Sequence, residues 1–254
     1  MSASVVLDPY ELIASPGLAR SKTVVVISVS GRTKANVAAA RCVRGIARAT
    51  LGVTSNAASP LANEVDEAIL LPYEYRPRVP GMASFALSLA YSAKLLSVKL
   101  GIDFGRAYAA GRRASRELKF SKSGCTFFLG NRALFAVSMY AAAKLYEFFG
   151  AKAQYQRLEE FSHMELFSLD GRDAVNIYDG FDPSKVCRTL SKSLKAAGYK
   201  TGLASAGQSG VESVFGAIFA TQFALLRWIE EAKIKRPYLL DAERKLAISD
   251  SMIY

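Results

Sequence analysis

The chain has 254 residues, and its 33 Lys and Arg against 22 Asp and Glu give a formal net charge of +11 at pH 7. Its hydrophobic content of 51% is ordinary for a globular protein with a core, and the length allows one large domain or two smaller ones. The excess of cations favours acidic partners such as phosphates. Because the cations are dispersed and no nucleic-acid motif is recognised, we expect no nucleic acid partner.

The three cysteines, Cys42, Cys125 and Cys187, show no C-x-x-C spacing, which excludes a sequence-evident zinc site or disulfide scaffold. The first residues lack the charged start and long apolar core of a signal peptide. The most apolar long run, at 214–229, contains Thr, Gln and Arg, which indicates a buried or interface helix rather than a membrane span. We therefore expect a cytoplasmic protein with no membrane partner.

In chain order, short apolar strands alternate with longer amphipathic helices, a pattern typical of parallel sheets covered by helices. The first half predicts strands at 23–28, 49–55 and 67–72, helices at 34–47 and 82–100, and a short helix from 61. The second half predicts strands at 125–130, 151–156, 173–180 and 199–205, helices at 132–150, 183–198 and 211–232, and a loop at 158–167. The basic residues 104–123 are interpreted as a linker between domains at 1–103 and 124–254.

The first clear strand leads directly into Ser28-Val29-Ser30-Gly31-Arg32-Thr33 and then into a helix. Backbone N–H groups at a helix start are unpaired, and the helix dipole favours an anion there. Glycine lets the backbone approach a ligand, and Ser or Thr hydroxyls add donors toward phosphate oxygens. The alternative is that Ser30 or Thr33 merely caps the helix, and this stretch alone leaves the two interpretations even.

About twenty residues later a strand is followed by a polar turn, the residues Ser59-Pro60-Leu61-Ala62, and then Asp66 before another strand. This succession resembles the sugar isomerase (SIS) domain family, whose core reads S-x-S-G-x-T and then S-x-L-A-x-x-x-D. The resemblance implies an α/β fold with flavodoxin-like, doubly wound parallel sheets, usually present twice per chain. It also implies a sugar phosphate substrate whose phosphate is bound by Ser28, Ser30, Gly31 and Thr33.

The second half is similar to the second SIS domain of phosphosugar isomerases, including the isomerase half of glucosamine-6-phosphate synthase. In those enzymes a glutamate closes the first helix of that domain, and a histidine follows sixteen residues later. Glu147 and His163 have this separation here, and His163 is the single histidine of the chain. The resemblance therefore implies that both are catalytic, whereas out of context Glu147 would be a solvated helix residue and His163 a structural one.

Within the family, the chain most resembles the archaeal-type bifunctional phosphoglucose/phosphomannose isomerases. It has their Pro-Arg pair after the first domain core (Pro77-Arg78), a long apolar helix, a Gly-Ile-Asp turn at 101–103, and a carboxylate, Glu165, two residues after the histidine. By this likeness Arg78 stabilises an enediolate. The alternative is that Arg78 is a solvated loop cation.

Aldose–ketose isomerisation opens the sugar ring, moves a proton between adjacent carbons and passes through a cis-enediolate. A glutamate can shuttle the proton, a histidine can act at the ring oxygen, and a fixed guanidinium can stabilise the oxyanion. This chemistry requires no metal or other cofactor, and the chain shows no metal-ligand spacing.

The chain departs from the family pattern in two places. The opening strand, Gly/Ser-rich loop and helix of the first SIS domain are missing, so we expect the first sheet to be truncated. The catalytic lysine of many family tails would fall at Ile248, and Lys245 is the candidate to replace it.

The leading hypothesis is a hexose 6-phosphate isomerase, which the resemblance implies to be a homodimer with a shared active site. The alternatives are a regulatory sugar-phosphate-binding protein with reduced catalysis and an amino-sugar phosphate deaminase or isomerase. Turnover assays separate the three.

Overall fold

A computed structural model of the protein describes residues 4–74, 80–95, 101–180, 185–207 and 210–254. The chain divides into two compact units, one formed by Met1–Lys99 with Arg244–Tyr254 and the other by Leu100–Glu243. Each unit is an α/β structure with its own parallel sheet, which confirms the predicted fold class.

The elements up to residue 114 are α1 (Pro9–Ala14), β1 (Thr23–Ile27), α2 (Lys34–Val43), β2 (Ala49–Thr54), α3 (Pro60–Glu64), β3 (Glu67–Leu70), α4 (Ala83–Leu95) and α5 (Phe104–Ala114). The later elements are β4 (Thr126–Leu129), α6 (Ala133–Phe149), β5 (Ala153–Gln156), α7 (Leu158–His163), β6 (Ala174–Asp179), α8 (Val186–Ala196), β7 (Lys200–Ser205), α9 (Gly210–Glu231), α10 (Tyr238–Asp241) and α11 (Glu243–Ile253).

The sheet of the first unit has the order β1-β2-β3, with all pairs parallel. One face of it packs against α2 and α3 through a small apolar cluster of Val26, Val37, Ala40 and Leu61. In a parallel sheet the carboxyl ends of all strands lie on the same side, so the loops after β1 and β2 lie next to each other there. The predicted motif residues Ser28–Thr33 and Ser59 lie on these two loops.

Asp66 is the last residue of the motif that resembles the SIS family. It lies just before β3, and so at the end of the sheet where the strands begin. Its carboxylate accepts hydrogen bonds from the backbone N–H of Thr50 at 2.7 Å and from the Thr50 hydroxyl at 2.9 Å. These bonds, led by the backbone one, hold the pKa of the Asp66 carboxyl below its ordinary value. Asp66 therefore fastens the start of β3 to the start of β2 and is structural.

We predict that Asp66→Asn lowers thermal stability at pH 7 and flattens its dependence on acid pH. A carboxyl with a depressed native pKa stabilises the fold above its unfolded pKa, about 3.9, and this contribution disappears as the pH falls through the lower native value. The check is Tm measured from pH 7 to pH 3 for the wild type, for Asp66→Asn, and for Glu67→Gln as an exposed neighbouring control. A wild-type pH profile in Asp66→Asn would contradict the assignment.

The sheet of the second unit has the parallel order β5-β4-β6-β7, the flavodoxin-like arrangement for four strands. Every residue of the two central strands β4 and β6 is buried, as expected for parallel strands covered on both faces. The core on one face contains eight buried side chains: Phe127, Leu129, Leu158, Phe161, Val175, Ile177, Cys187 and Leu194.

All seven predicted strands are present, and the differences concern helices. The predicted loop at 158–167 contains α7 and a 3-10 turn, because Leu158 and Phe161 anchor its inner side in the core. Residues 104–123, interpreted as a linker from their charge, contain α5, whose small residues Ala107, Gly111 and Ala114 face inward at helical spacing. The predicted helix at 82–100 is present over Ala83–Leu95, and its last residues lie outside the described parts.

No helix among the described residues combines the length and the apolar character that crossing a lipid bilayer requires.

Candidate functional site

The loop after β1 forms a compact cradle of hydroxyl groups. Ser28 and Ser30 are buried, the Ser28 and Thr33 hydroxyl oxygens lie 3.1 Å apart, and the Ser30 hydroxyl oxygen accepts the Arg32 N–H at 3.2 Å. One O–H of the Ser28–Thr33 pair and the Ser30 O–H then have no acceptor among the described residues. The cradle can therefore donate two hydroxyl hydrogen bonds to an anion.

Gly31 joins this cradle to the loop after β2. It has a φ of +65°, donates its N–H to the Ser28 carbonyl oxygen at 2.9 Å, and accepts the Leu61 N–H at 3.0 Å. A Cβ at this position would overlap the Ser59 side chain and stand 2.8 Å from Thr54 Oγ1. Glycine is thus required both for the left-handed backbone and for the contact between the two loops.

The start of α2 is open toward the cradle. Thr33, the N-cap residue, makes no side-chain cap because its hydroxyl is bonded to Ser28, while the Asn36 amide donates to the Ile27 carbonyl oxygen at 2.7 Å. The helix therefore keeps the partial positive charge of its first turn available to an anion. This removes the simple-cap alternative for Thr33.

Sequence reasoning missed two cations beside the cradle, Arg32 and Lys34, which are both exposed. The Lys34 ammonium donates to the Ser251 carbonyl oxygen at 3.3 Å, which fixes the end of α11 next to the start of α2. Their positions inside the SGRTK run are the signal that could have identified them. Lys245, the predicted tail lysine, is an exposed residue of α11 and belongs to the same unit as the cradle.

In the second unit, Glu147 lies on the last turns of α6 and pairs with Lys144, one turn earlier. The Lys144 side chain is 6% exposed and the Glu147 side chain 31%, so a buried ammonium is matched by a partly exposed carboxylate. Burial is also the main reason that the pKa of Tyr140, whose ring lies 5.4 Å from the Lys144 ammonium, rises to about 12. Glu147 is therefore a partly exposed residue paired with a buried ammonium, and its catalytic role stays a prediction.

His163 is the last residue of α7, and its side chain is 76% exposed. Its Nε2 lies 3.9 Å from Glu159 Oε1, a contact between two exposed groups that contributes little to stability. An exposed imidazole at a helix end is accessible to a ligand or to a second polypeptide.

Glu165 follows in the next turn and was noted in the sequence only for its spacing from the histidine. Its Oε1 accepts the Gln156 amide at 3.2 Å, whereas its Oε2 is buried without a hydrogen-bond partner in the described part of the chain. A buried carboxylate oxygen without a partner is costly unless it receives a donor from outside the chain. Close to His163 in sequence, Glu165 therefore provides a carboxylate oxygen that can accept a further hydrogen bond.

Glu147 and His163 do not meet within one chain. Glu147 precedes β5, since α6 leads through Gly150 into that strand, and His163 follows β5. α7 packs through Phe161 against Phe127 on one face of the second sheet, whereas a Tyr140–Gln222 hydrogen bond joins α6 to α9, which covers the face of Tyr178. The predicted catalytic pair is therefore divided between the two faces of this sheet, while Arg78 lies outside the described residues.

No family model and no curated protein sequence matches this chain. Solved structures do resemble it. Glucosamine-6-phosphate deaminase from Thermotoga maritima has a TM-score of 0.69 at 16% identity, with 85% of this chain and 72% of that chain covered. Tagatose-6-phosphate ketose/aldose isomerase from Escherichia coli has a TM-score of 0.69 at 16% identity, with 89% and 74% covered.

The C-terminal domain of glucosamine-fructose-6-phosphate aminotransferase from Francisella tularensis has a TM-score of 0.61 at 16% identity, covering 88% of this chain and 75% of that one. These TM-scores establish a shared fold, whereas identities this low leave the activity open. The chain thus has the two-sheet α/β fold of these phosphosugar proteins.

Proposed function

We propose that the protein is a phosphosugar aldose–ketose isomerase that interconverts glucose 6-phosphate or mannose 6-phosphate with fructose 6-phosphate. The observation that carries this proposal is the cradle of Ser28, Ser30, Gly31 and Thr33. Its free hydroxyl donors, the open start of α2 and two flanking cations suit a phosphate dianion. Two proteins that share the fold, the glucosamine-6-phosphate deaminase and the tagatose-6-phosphate ketose/aldose isomerase, are enzymes of sugar 6-phosphates, which agrees with this choice of ligand.

In the proposed mechanism Glu147 moves the proton between C1 and C2 of the open-chain sugar. Its carboxylate is partly exposed, and its partner Lys144 keeps it oriented. His163 exchanges the proton of the ring oxygen during ring opening, for which an exposed imidazole is suited. Arg78 stabilises the enediolate oxygen, and Lys245 assists from the tail helix.

The proposed enzyme is a homodimer with a shared site. Because Glu147 and His163 lie on helices that cover opposite faces of the second sheet, a site that uses both is best formed by the histidine of one chain beside the glutamate of another. The exposure of His163 is consistent with such an arrangement.

Two alternatives rest on specific observations. The salt bridge of Glu147 to the buried Lys144 would also serve a purely structural purpose, which favours a sugar-phosphate-binding protein with reduced catalysis. The likeness to a glucosamine-6-phosphate deaminase favours an amino-sugar enzyme.

Turnover assays with four sugar phosphates test the proposal. Purified protein is expected to interconvert fructose 6-phosphate with glucose 6-phosphate or mannose 6-phosphate in coupled assays, and to release no ammonia from glucosamine 6-phosphate. Binding of fructose 6-phosphate without turnover would support the binding-protein alternative, and ammonia release would support the deaminase.

A conservative change in the cradle tests the phosphate site. Thr33→Val removes one hydroxyl without changing volume, and we expect KM for the sugar phosphate to rise about tenfold or more with a smaller effect on kcat. Thr23→Val is the matched control, because Thr23 lies at the other end of β1 and bonds Arg48. Equal effects of the two changes on KM would argue against the cradle.

A further inference from the structure

A group of cations covers one surface of the second unit, which we call the basic surface. Two adjoining cavities of about 280 and 390 Å³ open there, and Arg116 lines both of them. Most of the cations are exposed, so the cavities lie open to solvent as shallow grooves. The basic surface comprises Arg112, Arg113, Arg116, Lys119, Lys122, Lys200 and Arg227.

The charge of this surface is largely uncompensated. Elsewhere Arg41 pairs with Glu64 at 2.7 Å and Arg106 with Glu212 at 2.6 Å. Repulsion among unpaired cations costs free energy that a bound polyanion would relieve. Within the described ranges, no carboxylate forms an ion pair with six of the seven cations: Arg112, Arg113, Arg116, Lys119, Lys122 and Lys200.

Helix stabilisation explains only part of this cluster. Arg112 and Arg113 lie in the last turn of α5, where cations interact favourably with the helix dipole. Arg116 lies in the 3-10 turn that directly follows α5, whereas Lys119 and Lys122 come after both helices and gain nothing comparable. Two carboxylates are nearby: Glu231, which lies 3.6 Å from Arg227, and the exposed Glu117. The surface therefore keeps a clear excess of positive charge.

The backbone that carries these cations is held in place. The Arg227 guanidinium donates to the carbonyl oxygens of Ser115 at 3.1 Å and Leu118 at 3.3 Å. The Asn176 side-chain amide pairs with both backbone groups of Lys119 at 2.7 Å. A ligand would consequently order side chains only, which lowers the entropy cost of binding.

Aromatic rings extend the basic surface along α5. Phe104 and Tyr108 lie one turn apart, Arg112 follows at the same spacing, and the two aromatic residues are 47% and 48% exposed. Phe104 and Tyr108 pack edge-on against rings of α9, which fixes their orientation. Exposed rings next to cations allow bases to stack while phosphates contact the cations.

We propose that the basic surface and the exposed aromatic face of α5 bind a single strand of nucleic acid with little sequence preference. A shallow groove would leave a small anion mostly in solvent, whereas several phosphates along a strand add their contacts together. A duplex would use the cations but not the aromatic rings. This proposal replaces the expectation, drawn from the dispersed cations of the sequence, that nucleic acid is no partner.

Fluorescence anisotropy with labelled oligonucleotides of about 12 nucleotides tests the proposal, with RNA and DNA versions of one sequence measured separately. Binding of either version supports it. For Arg113→Gln/Arg116→Gln we expect about tenfold weaker binding and a shallower salt dependence, by about 0.7 in the logarithmic slope for each lost phosphate contact. Lys192→Gln/Lys195→Gln is the matched control, since it removes two exposed cations at the same spacing on α8, and we expect wild-type binding.

Further binding measurements distinguish a single strand from other anionic ligands. A duplex of the same sequence is expected to bind more weakly than the single strand, and Tyr108→Leu is expected to weaken the single strand about fivefold or more while leaving inorganic polyphosphate binding unchanged. Thermal unfolding of each variant verifies that it is folded. Absence of binding, equal losses in the two double variants, a duplex bound as tightly as the strand, or displacement by millimolar fructose 6-phosphate would each overturn the proposal.

Discussion

Mixed oligomers of Glu147→Gln chains and His163→Ala chains are expected to regain about a quarter of the wild-type turnover of fructose 6-phosphate. Each variant alone is expected to be about a hundredfold or more slower than the wild type, because each lacks one of the two side chains proposed to transfer protons. In a mixed dimer, one of the two sites receives Glu147 from the His163→Ala chain and His163 from the other chain. Random pairing makes half of the dimers mixed, and half of their sites intact.

The experiment requires chains that exchange, so the two variants are refolded together from denaturant or coexpressed with different affinity tags. Glu147→Gln chains mixed with Glu147→Ala chains are the control, because no pairing of these restores the glutamate. Gln at position 147 keeps an oxygen acceptor for the buried Lys144, which limits the structural damage. Recovery no greater than in the control would show that the two side chains do not complete each other's site.

Strands were the most predictable part of this fold. The parallel strands β4 and β6 are buried along their whole length, and most of their residues are apolar, which makes such strands easy to identify from composition. The missed helices are short or highly charged. In α7 only two buried apolar residues mark the inner face, and the charged residues Glu159 and Glu160 lie between them in sequence. In α5 the inner face consists of small residues, which give a weak apolar pattern. Patterns of this kind resemble loops until packing partners are known.

The candidate site likewise has one part that could be predicted from the sequence and one part that could not. The cradle could be predicted because its residues are contiguous and its glycine has a local backbone requirement. The burial of Lys144 depends on how α6 packs against α9, and the separation of Glu147 from His163 depends on which faces of the second sheet α6 and α7 cover. The sequence spacing of sixteen residues predicts neither the burial of Lys144 nor the separation of Glu147 from His163 in the fold.

Gly31→Ala is expected to destabilise the protein by about 3 kcal/mol or more and to abolish binding of fructose 6-phosphate. About 1 kcal/mol of this arises from placing a side chain at a φ of +65°. The rest arises because the new Cβ overlaps the buried Ser59 side chain and approaches Thr54, so the loops after β1 and β2 must separate. The measurements are urea unfolding and calorimetric titration with fructose 6-phosphate.

Gly45→Ala separates the two causes. Gly45 has a φ of +77° and lies in the same unit, but a Cβ there meets nothing within 4 Å. It should therefore show the backbone cost alone, about 1 kcal/mol, and leave binding unchanged. Ser59→Gly, which removes the overlapped side chain at the cost of a few tenths of a kcal/mol in helix capping, should restore part of the stability of Gly31→Ala. If Gly31→Ala and Gly45→Ala proved equally mild, the two loops would not be in contact as the structure has them, and the cradle would lose its physical basis.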